Sequence, residues 1–352
     1  MGKGFVLSEL RWDPLKKTWV IITLERGRRP RDFMNERKQV NMTVCPFCYG
    51  HEDKTPREIF AIRPDGSRPN TPGWKVRVIP NKYPVLRIEG ELEKRGVGMY
   101  DAMNGIGAHE VVIETPDHDR SLAELAPTEI TDVLKAYRAR LLDLRKDPRF
   151  RYILLFKNHG VEAGAAIPHS HTQIIAVPIT PNLAATELSV CQEYYKQKER
   201  CLFCDLLAQE REERRRIIRD DGNFVVFAPY ASRFPFEVRI APARHSHDFA
   251  LSADHELSAL AEALKDALRR IRSVLRDPPY NFILHTSPPM HLRLGKPGYW
   301  GSIPYDFHWH IDLVPRLTNN AGFEWGTGFF MNSTPPEEAA RFLRAVDLSL
   351  TT

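Results

Sequence analysis

The alternation of apolar and polar positions in the first half of the chain predicts short strands arranged around one long helix. Residues 76–85 alternate between apolar and polar side chains, and residues 110–114 and 152–156 form short, mainly apolar runs, both typical of β-strands. Residues 127–145 instead carry apolar side chains at helical spacing, which predicts an amphipathic helix. A last apolar run at 173–177 predicts a strand that directly follows a histidine-rich segment.

The second half of the chain repeats this order of elements. Strands are predicted over residues 224–227 and 236–240, a helix over 252–275, and two further strands over 282–284 and 311–314. A Cys-x-x-Cys pair, a proline–histidine turn, an Asp-Pro turn and a His-x-His segment stand at corresponding points in both halves. This matched order predicts an α+β fold made of two divergent copies of one unit, each with a mainly antiparallel sheet and helices packed on it.

We therefore predict two domains of similar size. The N-terminal domain covers residues 1–185 and the C-terminal domain residues 186–352, with the boundary in the polar helical stretch 182–200. Any α+β chain shows strands and helices in a similar order. That alternative, however, does not explain why metal-capable residues recur at matching points.

The composition and charge of the chain are those of a globular protein that binds small molecules. The 352 residues are 42% hydrophobic and 27% charged, as in soluble globular proteins, and the net charge is +5. The charges are interspersed, so we expect phosphorylated small molecules as partners and no nucleic acid. No apolar run reaches the roughly 18 residues of a membrane span, and no signal-peptide pattern is present. We therefore expect a cytoplasmic protein that does not bind membranes.

Two groups of two thiols and two imidazoles could each hold a metal ion. The first group is Cys45, Cys48, His118 and His169, and the second is Cys201, Cys204, His245 and His308. Such a set is a closed tetrahedral zinc site, which makes the zinc structural because no position remains for a substrate. In the second group, His247 could replace His245, and His310 could replace His308. The alternative is a pair of buried, reduced cysteines in each half without metal.

The candidate reacting group lies in the segment 158–173. His169 and His171 point to the same face of a strand, so one imidazole can bind zinc while its neighbour faces a substrate. Gly160 and Gly164 just upstream let backbone N–H groups approach phosphate oxygens, and Gln173 can donate an amide N–H to them. A neutral histidine is a competent nucleophile towards phosphorus. The alternative is that both histidines are metal ligands or core residues.

This segment resembles the active-site segment of the histidine-triad superfamily, in its galactose-1-phosphate uridylyltransferase branch. Residues 8–14, 19–22 and 25–30, and residues 322–324 near the C-terminus, are also similar to that family. The resemblance runs from about residue 8 to residue 343, which is nearly the whole chain.

Carried over by motif position, the resemblance implies a role for each of these residues. His171 would be the uridylylated nucleophile, and His169 a ligand of the first zinc ion. The implied substrate contacts are Asn158 and Gln173 near the α-phosphate, Asn81 near the sugar and base, Arg26 and Arg29 at the phosphates, and Phe323 and Glu324 in the hexose pocket across a dimer interface. Arginine suits the phosphate role because it can make bidentate hydrogen bonds, whereas the alternative for this loop is a solvated surface.

Several positions depart from the family pattern. Ser170 stands where the family usually has proline between the two histidines, and Ala166 stands where it has a phosphate-contacting serine. Residues 318–320 replace an expected lysine and aromatic residue. The His-Ser-His form also resembles the ADP-glucose phosphorylase offshoot of the family. In the second half, Asp312 takes the position of Gln173, so we expect that half to be a structural partner without a nucleophile.

The resemblance implies a UDP-glucose–hexose-1-phosphate uridylyltransferase of galactose metabolism, acting by a ping-pong mechanism through a uridylyl-histidine. Its partners would be a sugar nucleotide and a hexose 1-phosphate, its only cofactor structural zinc at two sites, and its assembly a homodimer. The nearest alternative is an ADP-glucose phosphorylase or a dinucleoside polyphosphate phosphorylase or adenylyltransferase. An alternative of a different class is a non-enzymatic zinc module that binds nucleotides.

Overall fold

The computed structural model describes residues 8–23, 28–33, 43–64, 66–292 and 299–349. The strands are β1 (Glu9–Asp13), β2 (Thr18–Ile22), β3 (Phe60–Ile62), β4 (Val76–Pro80), β5 (Arg95–Val97), β6 (Tyr100–Ala102), β7 (Ala108–Ile113), β8 (Tyr152–His159), β9 (His171–Val177), β10 (Ile217–Asp220), β11 (Phe224–Phe227), β12 (Val238–Pro242), β13 (Tyr280–His285), β14 (His310–Pro315) and β15 (Phe330–Asn332). The α-helices are α1 (Pro127–Leu144), α2 (Asn182–Lys198), α3 (Leu202–Glu213), α4 (Asp254–Leu275), α5 (Ile303–Asp306), α6 (Gly322–Thr327) and α7 (Pro336–Arg344).

Ten strands form one sheet in the order β10-β11-β12-β14-β13-β8-β9-β7-β4-β3. Every neighbouring pair in it is antiparallel. Each half of the chain contributes five strands, whose order β3-β4-β7-β9-β8 in the first half matches β10-β11-β12-β14-β13 in the second. The two sets meet where β8 pairs with β13. The predicted mixed α+β fold with antiparallel strands is confirmed.

The main hydrophobic core lies between this sheet and the helices α1 and α4, which also pack on each other. Helix α1 buries the apolar stripe seen in the sequence, including Ile130, Leu134 and Tyr137, and α4 buries its own stripe, including Leu260 and Leu264. Burying one such leucine fully contributes about 1.5–3 kcal/mol. These stripes therefore hold the helices against the sheet. In the part of the chain that the structure describes, no helix is long and apolar enough to cross a membrane.

The predicted domain boundary falls in helix α2, and both sides of it contribute strands to the same sheet. Strand β15 from the second half also pairs with β2 from the first half, in a small three-stranded sheet. The division into residues 1–185 and 186–352 stays a prediction. The strand predicted over 76–85 ends earlier, at Pro80, because Asn81 Oδ1 accepts the N–H of Tyr83 at 2.9 Å and the chain turns there.

Candidate active site and metal centres

The first group of metal-capable residues converges at the start of β9. The ligand atoms of Cys45, Cys48, His118 and His169 all lie within 4.8 Å of one another. Cys48 Sγ lies 3.3 Å from His118 Nδ1 and 3.6 Å from His169 Nδ1. Zinc–sulfur and zinc–nitrogen bonds of usual length place neighbouring tetrahedral ligands about 3.5 Å apart. The group therefore fits zinc.

Two further features of this group suit a metal ion. His169 Nε2 donates to the carbonyl oxygen of Thr115 at 2.7 Å, which leaves its Nδ1 lone pair facing the sulfur atoms. Burial and the neighbouring Cys45 raise the pKa of the Cys48 thiol to about 11. Because zinc binds the thiolate, a bound cation would supply the charge that holds Cys48 deprotonated.

The second group repeats this arrangement beside β14. Cys204 Sγ lies 3.3 Å from His245 Nδ1 and 3.4 Å from His308 Nδ1, and Cys201 completes the set within 4.8 Å. Both imidazoles donate from Nε2 to backbone carbonyl oxygens, at 2.9 and 3.0 Å, as His169 does in the first group. The structure brings His245 and His308 together with the cysteines, rather than the alternatives His247 and His310.

A third group of metal-capable residues was not recognised in the sequence. Glu187, His285 and His310 have ligand atoms within 4.8 Å of one another. The His285 and His310 rings stack with centroids 4.5 Å apart, and His310 Nε2 lies 3.5 Å from a Glu187 oxygen. Glu187 lies in helix α2, about a hundred residues before His285, so no local spacing links them.

His171 is the first residue of β9, and its side chain lines a cavity of about 480 Å³. Its Nδ1 donates to the carbonyl oxygen of His169 at 2.8 Å, which leaves the lone pair on Nε2. Burial lowers the pKa of His171 to about 4, and the Lys157 ammonium acts in the same direction. The imidazole is therefore neutral at neutral pH, as a nucleophile must be.

The cavity has the size and the mainly apolar lining of a small-molecule site. The predicted residues Asn81, Gly164, His171 and Gln173 all line it. Its other lining residues are Pro46, Phe47, Lys54, Thr55, Pro56, Ile79, Lys82, Tyr83, Val111, Ala166 and Ile167. Apolar walls with a few polar groups can hold a base and ribose while the phosphate faces His171.

His109, a residue that sequence reasoning missed, fixes Gln173. His109 Nδ1 accepts the N–H of Val85 at 3.3 Å, so the ring proton lies on Nε2, which is 2.8 Å from Gln173 Oε1. Asn81 Nδ2 lies 3.0 Å from the same ring nitrogen but cannot donate to it while Nε2 carries the proton. With its carbonyl oxygen bonded to His109, the amide N–H₂ group of Gln173 stays available to a phosphoryl oxygen.

The two glycines of the loop before β9 have different roles. Gly160 has a φ of +82°, and a Cβ there would lie 2.8 Å from Pro279 Cβ, so this glycine allows close packing. Gly164, with a φ of +95°, lines the cavity instead. Asn158 supports this turn, because its Nδ2 donates to the Gly164 carbonyl at 3.4 Å and its Oδ1 accepts from Asn281 at 2.8 Å.

Of the other predicted contacts, Arg29, Phe323 and Glu324 do not line the cavity at His171. Arg26 lies outside the described residues, and Arg29 is exposed, with its backbone N–H bonded to Asp32. Phe323 is 40% exposed, and Glu324 lines a separate cavity of about 200 Å³ together with Arg28 and Arg233. Their predicted placement across a dimer interface stays a prediction.

Comparison with known proteins agrees with this geometry. Residues 5–181 match the family described as galactose-1-phosphate uridyl transferase, N-terminal domain. The chain is 36% identical over 346 residues to the ADP-glucose phosphorylase of Arabidopsis thaliana, covering 97% of this chain and 93% of that protein. It is 28% identical over 352 residues to the galactose-1-phosphate uridylyltransferase of Thermotoga maritima, covering 98% and 100%. The crystal structure of the Arabidopsis thaliana ADP-glucose phosphorylase with bound ADP-glucose matches with a TM-score of 0.80 and 33% identity, covering 97% of this chain and 99% of that chain. The chain therefore belongs to the galactose-1-phosphate uridylyltransferase family.

Proposed function

We propose that the protein transfers a nucleoside monophosphate from a sugar nucleotide to a phosphate acceptor through a covalent intermediate on His171. The observation that carries this proposal is the geometry of His171 itself. Its ring is neutral, its Nδ1 proton is bonded to a carbonyl oxygen, and its side chain lines a nucleotide-sized cavity beside Gln173. Imidazoles of the two Cys₂His₂ groups also donate to carbonyl oxygens, so the feature that distinguishes His171 is its position at the cavity beside Gln173.

In the first step, Nε2 of His171 attacks the α-phosphorus of the sugar nucleotide. The N–P bond forms while the P–O bond to the sugar 1-phosphate breaks, and the sugar 1-phosphate leaves with the electron pair. Nδ1 keeps its proton and continues to donate it to the carbonyl oxygen of His169, which offsets the positive charge that the ring acquires. The amide N–H₂ group of Gln173 would stabilise the charge on the non-bridging oxygens, whereas the backbone N–H groups of Gly164 and Ala165 already donate to carbonyl oxygens within their own loop.

In the second step, an oxygen of the acceptor phosphate attacks the same phosphorus. The new P–O bond forms as the N–P bond breaks, and His171 returns to its neutral state. Splitting the transfer in this way replaces one difficult displacement with two easier ones. The two Cys₂His₂ groups would hold zinc ions that take no part in either step. Each ion would only cross-link distant parts of the chain.

For the substrate, we propose ADP-glucose as donor and inorganic phosphate as acceptor, giving ADP and glucose 1-phosphate. This choice is supported by the 36% identity to an ADP-glucose phosphorylase along 97% of the chain. The serine between His169 and His171, which the resemblance associates with that offshoot, also supports it. The second candidate is transfer from UDP-glucose to galactose 1-phosphate, which the 28% identity to the Thermotoga maritima enzyme favours.

Intact mass measurement tests the intermediate. Incubation with ADP-glucose or UDP-glucose, without acceptor, is expected to add one nucleotidyl mass to the protein but not to His171→Ala. Unmodified protein with both donors would remove the proposed mechanism and favour a non-enzymatic nucleotide-binding module.

Turnover then separates the two substrate assignments. We expect ADP-glucose with phosphate to react faster than UDP-glucose with galactose 1-phosphate when both pairs are supplied at equal concentration. The reverse order of rates would make the protein a uridylyltransferase and leave the role of His171 unchanged.

A further inference from the structure

We infer that Glu114 and Lys157 are positioning residues for His171. They form a buried ion pair behind the nucleophile, on the side of β9 that faces away from the cavity. The inference rests on the proposed function, because it assigns to this pair the alignment of His171 for attack on phosphorus.

Lys157 lies where β8 and β9 separate. The two strands pair from Tyr152 and Val177 as far as Phe156 and Gln173, and β8 then continues against β13 up to His159. The two residues of β9 before Gln173, His171 and Thr172, therefore have no partner in β8. A backbone polar group there needs another partner when it is buried.

The side chain of Lys157 supplies that partner. Its ammonium group donates to the carbonyl oxygen of His171 at 3.0 Å, to Ser170 Oγ at 3.0 Å and to Glu114 Oε2 at 2.7 Å. All three N–H donors of the ammonium are therefore used. The side chain is only 1% exposed, so water does not compete for these contacts.

Glu114 directly follows β7, the strand that flanks β9 on the side opposite β8, and it hydrogen-bonds to β9 from that side. Its backbone N–H donates to the Ser170 carbonyl oxygen at 3.2 Å, and its Oε2 accepts the hydroxyl of Ser170 at 2.6 Å. Its Oε1 accepts the hydroxyls of Thr172 at 2.5 Å and Tyr137 at 2.7 Å. Burial raises the pKa of Glu114, but the Lys157 ammonium and these hydroxyls outweigh burial and leave the pKa at about 2. The pair is thus charged and fully hydrogen-bonded.

The alternation of side chains along the strand links this network to the nucleophile. Ser170 and Thr172 point towards Glu114 and helix α1, whereas His171 and Gln173 point into the cavity. The network therefore fixes the backbone on both sides of His171 without touching a substrate. A displacement of about 1 Å at a reacting group can cost about 100-fold in rate.

A purely structural ion pair is the competing explanation, and it predicts a different result. Buried ion pairs often add little net stability, whereas removing one partner leaves an unpaired charge. Loss of a structural pair would lower the unfolding temperature, but the protein that remains folded would still form the nucleotidyl adduct at the normal rate. A positioning pair instead governs kcat while the donor still binds.

The test compares Lys157→Met with the double variant Glu114→Gln/Lys157→Met, which removes both charges and is less prone to unfold. Arg216→Met is the matched control. Arg216 is also buried, with a side chain 3% exposed, and it directly precedes the edge strand β10 at the far end of the ten-stranded sheet. It pairs at 2.9 Å with each of Glu210, Glu213 and Glu337. For each folded variant, one measures the single-turnover rate of nucleotidyl-enzyme formation from ADP-glucose and UDP-glucose, the donor KM, the zinc content and the unfolding temperature.

We expect Lys157→Met and the double variant to form the adduct about 10- to 100-fold more slowly, with donor KM within about threefold of wild type and zinc retained. Arg216→Met should keep the rate within about twofold, although it unfolds at lower temperature. If Lys157→Met does not fold, the double variant decides by the same criterion. Adduct formation at the wild-type rate, or an equal loss in Arg216→Met, would overturn the positioning role. A wild-type protein that forms no adduct at all would instead overturn the proposed function.

Discussion

His171 and His310 occupy equivalent places in the two halves of the chain, at the start of β9 and of β14. Each follows a histidine of a Cys₂His₂ group by two residues, and each contacts the phenylalanine of its Cys-x-Phe-Cys turn. The centroid distances are 5.4 Å from Phe47 to His171 and 4.8 Å from Phe203 to His310. Matching residues therefore lie beside both histidines, although the rings meet edge to face at His171 (67°) and are stacked at His310 (27°).

The surroundings of the two histidines differ. His171 lines a cavity, whereas His310 is fully buried between the His285 ring and Glu187. The residue two positions further on is the neutral Gln173 in the first half and the charged Asp312 in the second. A carboxylate has no N–H to donate to a phosphoryl oxygen, whereas the amide of Gln173 has two. The two histidines therefore differ in their access to a cavity and in the charge of the residue two positions further on.

Two cations inside the protein balance the negative charge of Asp312. Arg239 donates to its two oxygens at 2.7 and 2.9 Å, and Lys16 donates at 3.0 Å. The Arg239 guanidinium and Lys16 ammonium outweigh burial and hold the pKa of Asp312 well below its usual range. The residue at this position thus forms ion pairs inside the protein in the second half, whereas in the first half it lines the cavity.

The largest expected effect separates the two histidines directly. His171→Ala should lower kcat by at least about 1,000-fold, because it removes the attacking nitrogen, while His310→Ala should keep kcat within about threefold. Steady-state rates at a temperature where both variants are folded check this contrast. Comparable losses in the two variants would show that the halves share the chemistry.

Removal of single zinc ligands should also distinguish the halves. Cys45→Ser and Cys201→Ser are each expected to lose one zinc ion per chain and to unfold at lower temperature. Only Cys45→Ser should reduce kcat strongly, by about tenfold or more, because the His169 carbonyl accepts the Nδ1 proton of His171. Metal analysis, thermal unfolding and kcat measure the three quantities. Equal kcat losses in both variants would contradict a special link between the first metal group and the nucleophile.

Elements whose determinants are local could be predicted from the sequence. The apolar stripe of helix α4 and the strand Phe224–Phe227 follow from periodicity alone, and the structure has both. The two Cys₂His₂ groups were also predictable, because each Cys-x-x-Cys turn carries a recognisable spacing and the whole pattern occurs twice. Strand ends were less predictable, since the end of β4 depends on the side chain of Asn81 and not on hydropathy.

Residues that act across the sheet could not be predicted in this way. Lys157 and Glu114 are 43 positions apart and come together only because β8 and β7 both flank β9. His109 is 64 positions from Gln173, and Glu187 meets His310 only through the path of helix α2. Such contacts depend on the order of the strands in the sheet, and hydrophobic patterns in a single sequence do not specify that order. The catalytic and substrate-binding roles of the predicted residues accordingly stay predictions.

The smallest expected effect concerns how each half holds the residue two positions after its second histidine. Gln173 is held by a neutral hydrogen bond from His109, whereas Asp312 is held by charge. His109→Phe keeps a ring but removes this bond, which is worth about 1–1.5 kcal/mol, so kcat should fall about tenfold. Because His109 would act only through Gln173, the same change in a Gln173→Ala background should cost less than about twofold. A tenfold loss in both backgrounds would mean that His109 contributes by another route, and the contrast between a neutral and a charged anchor would then lose its catalytic meaning.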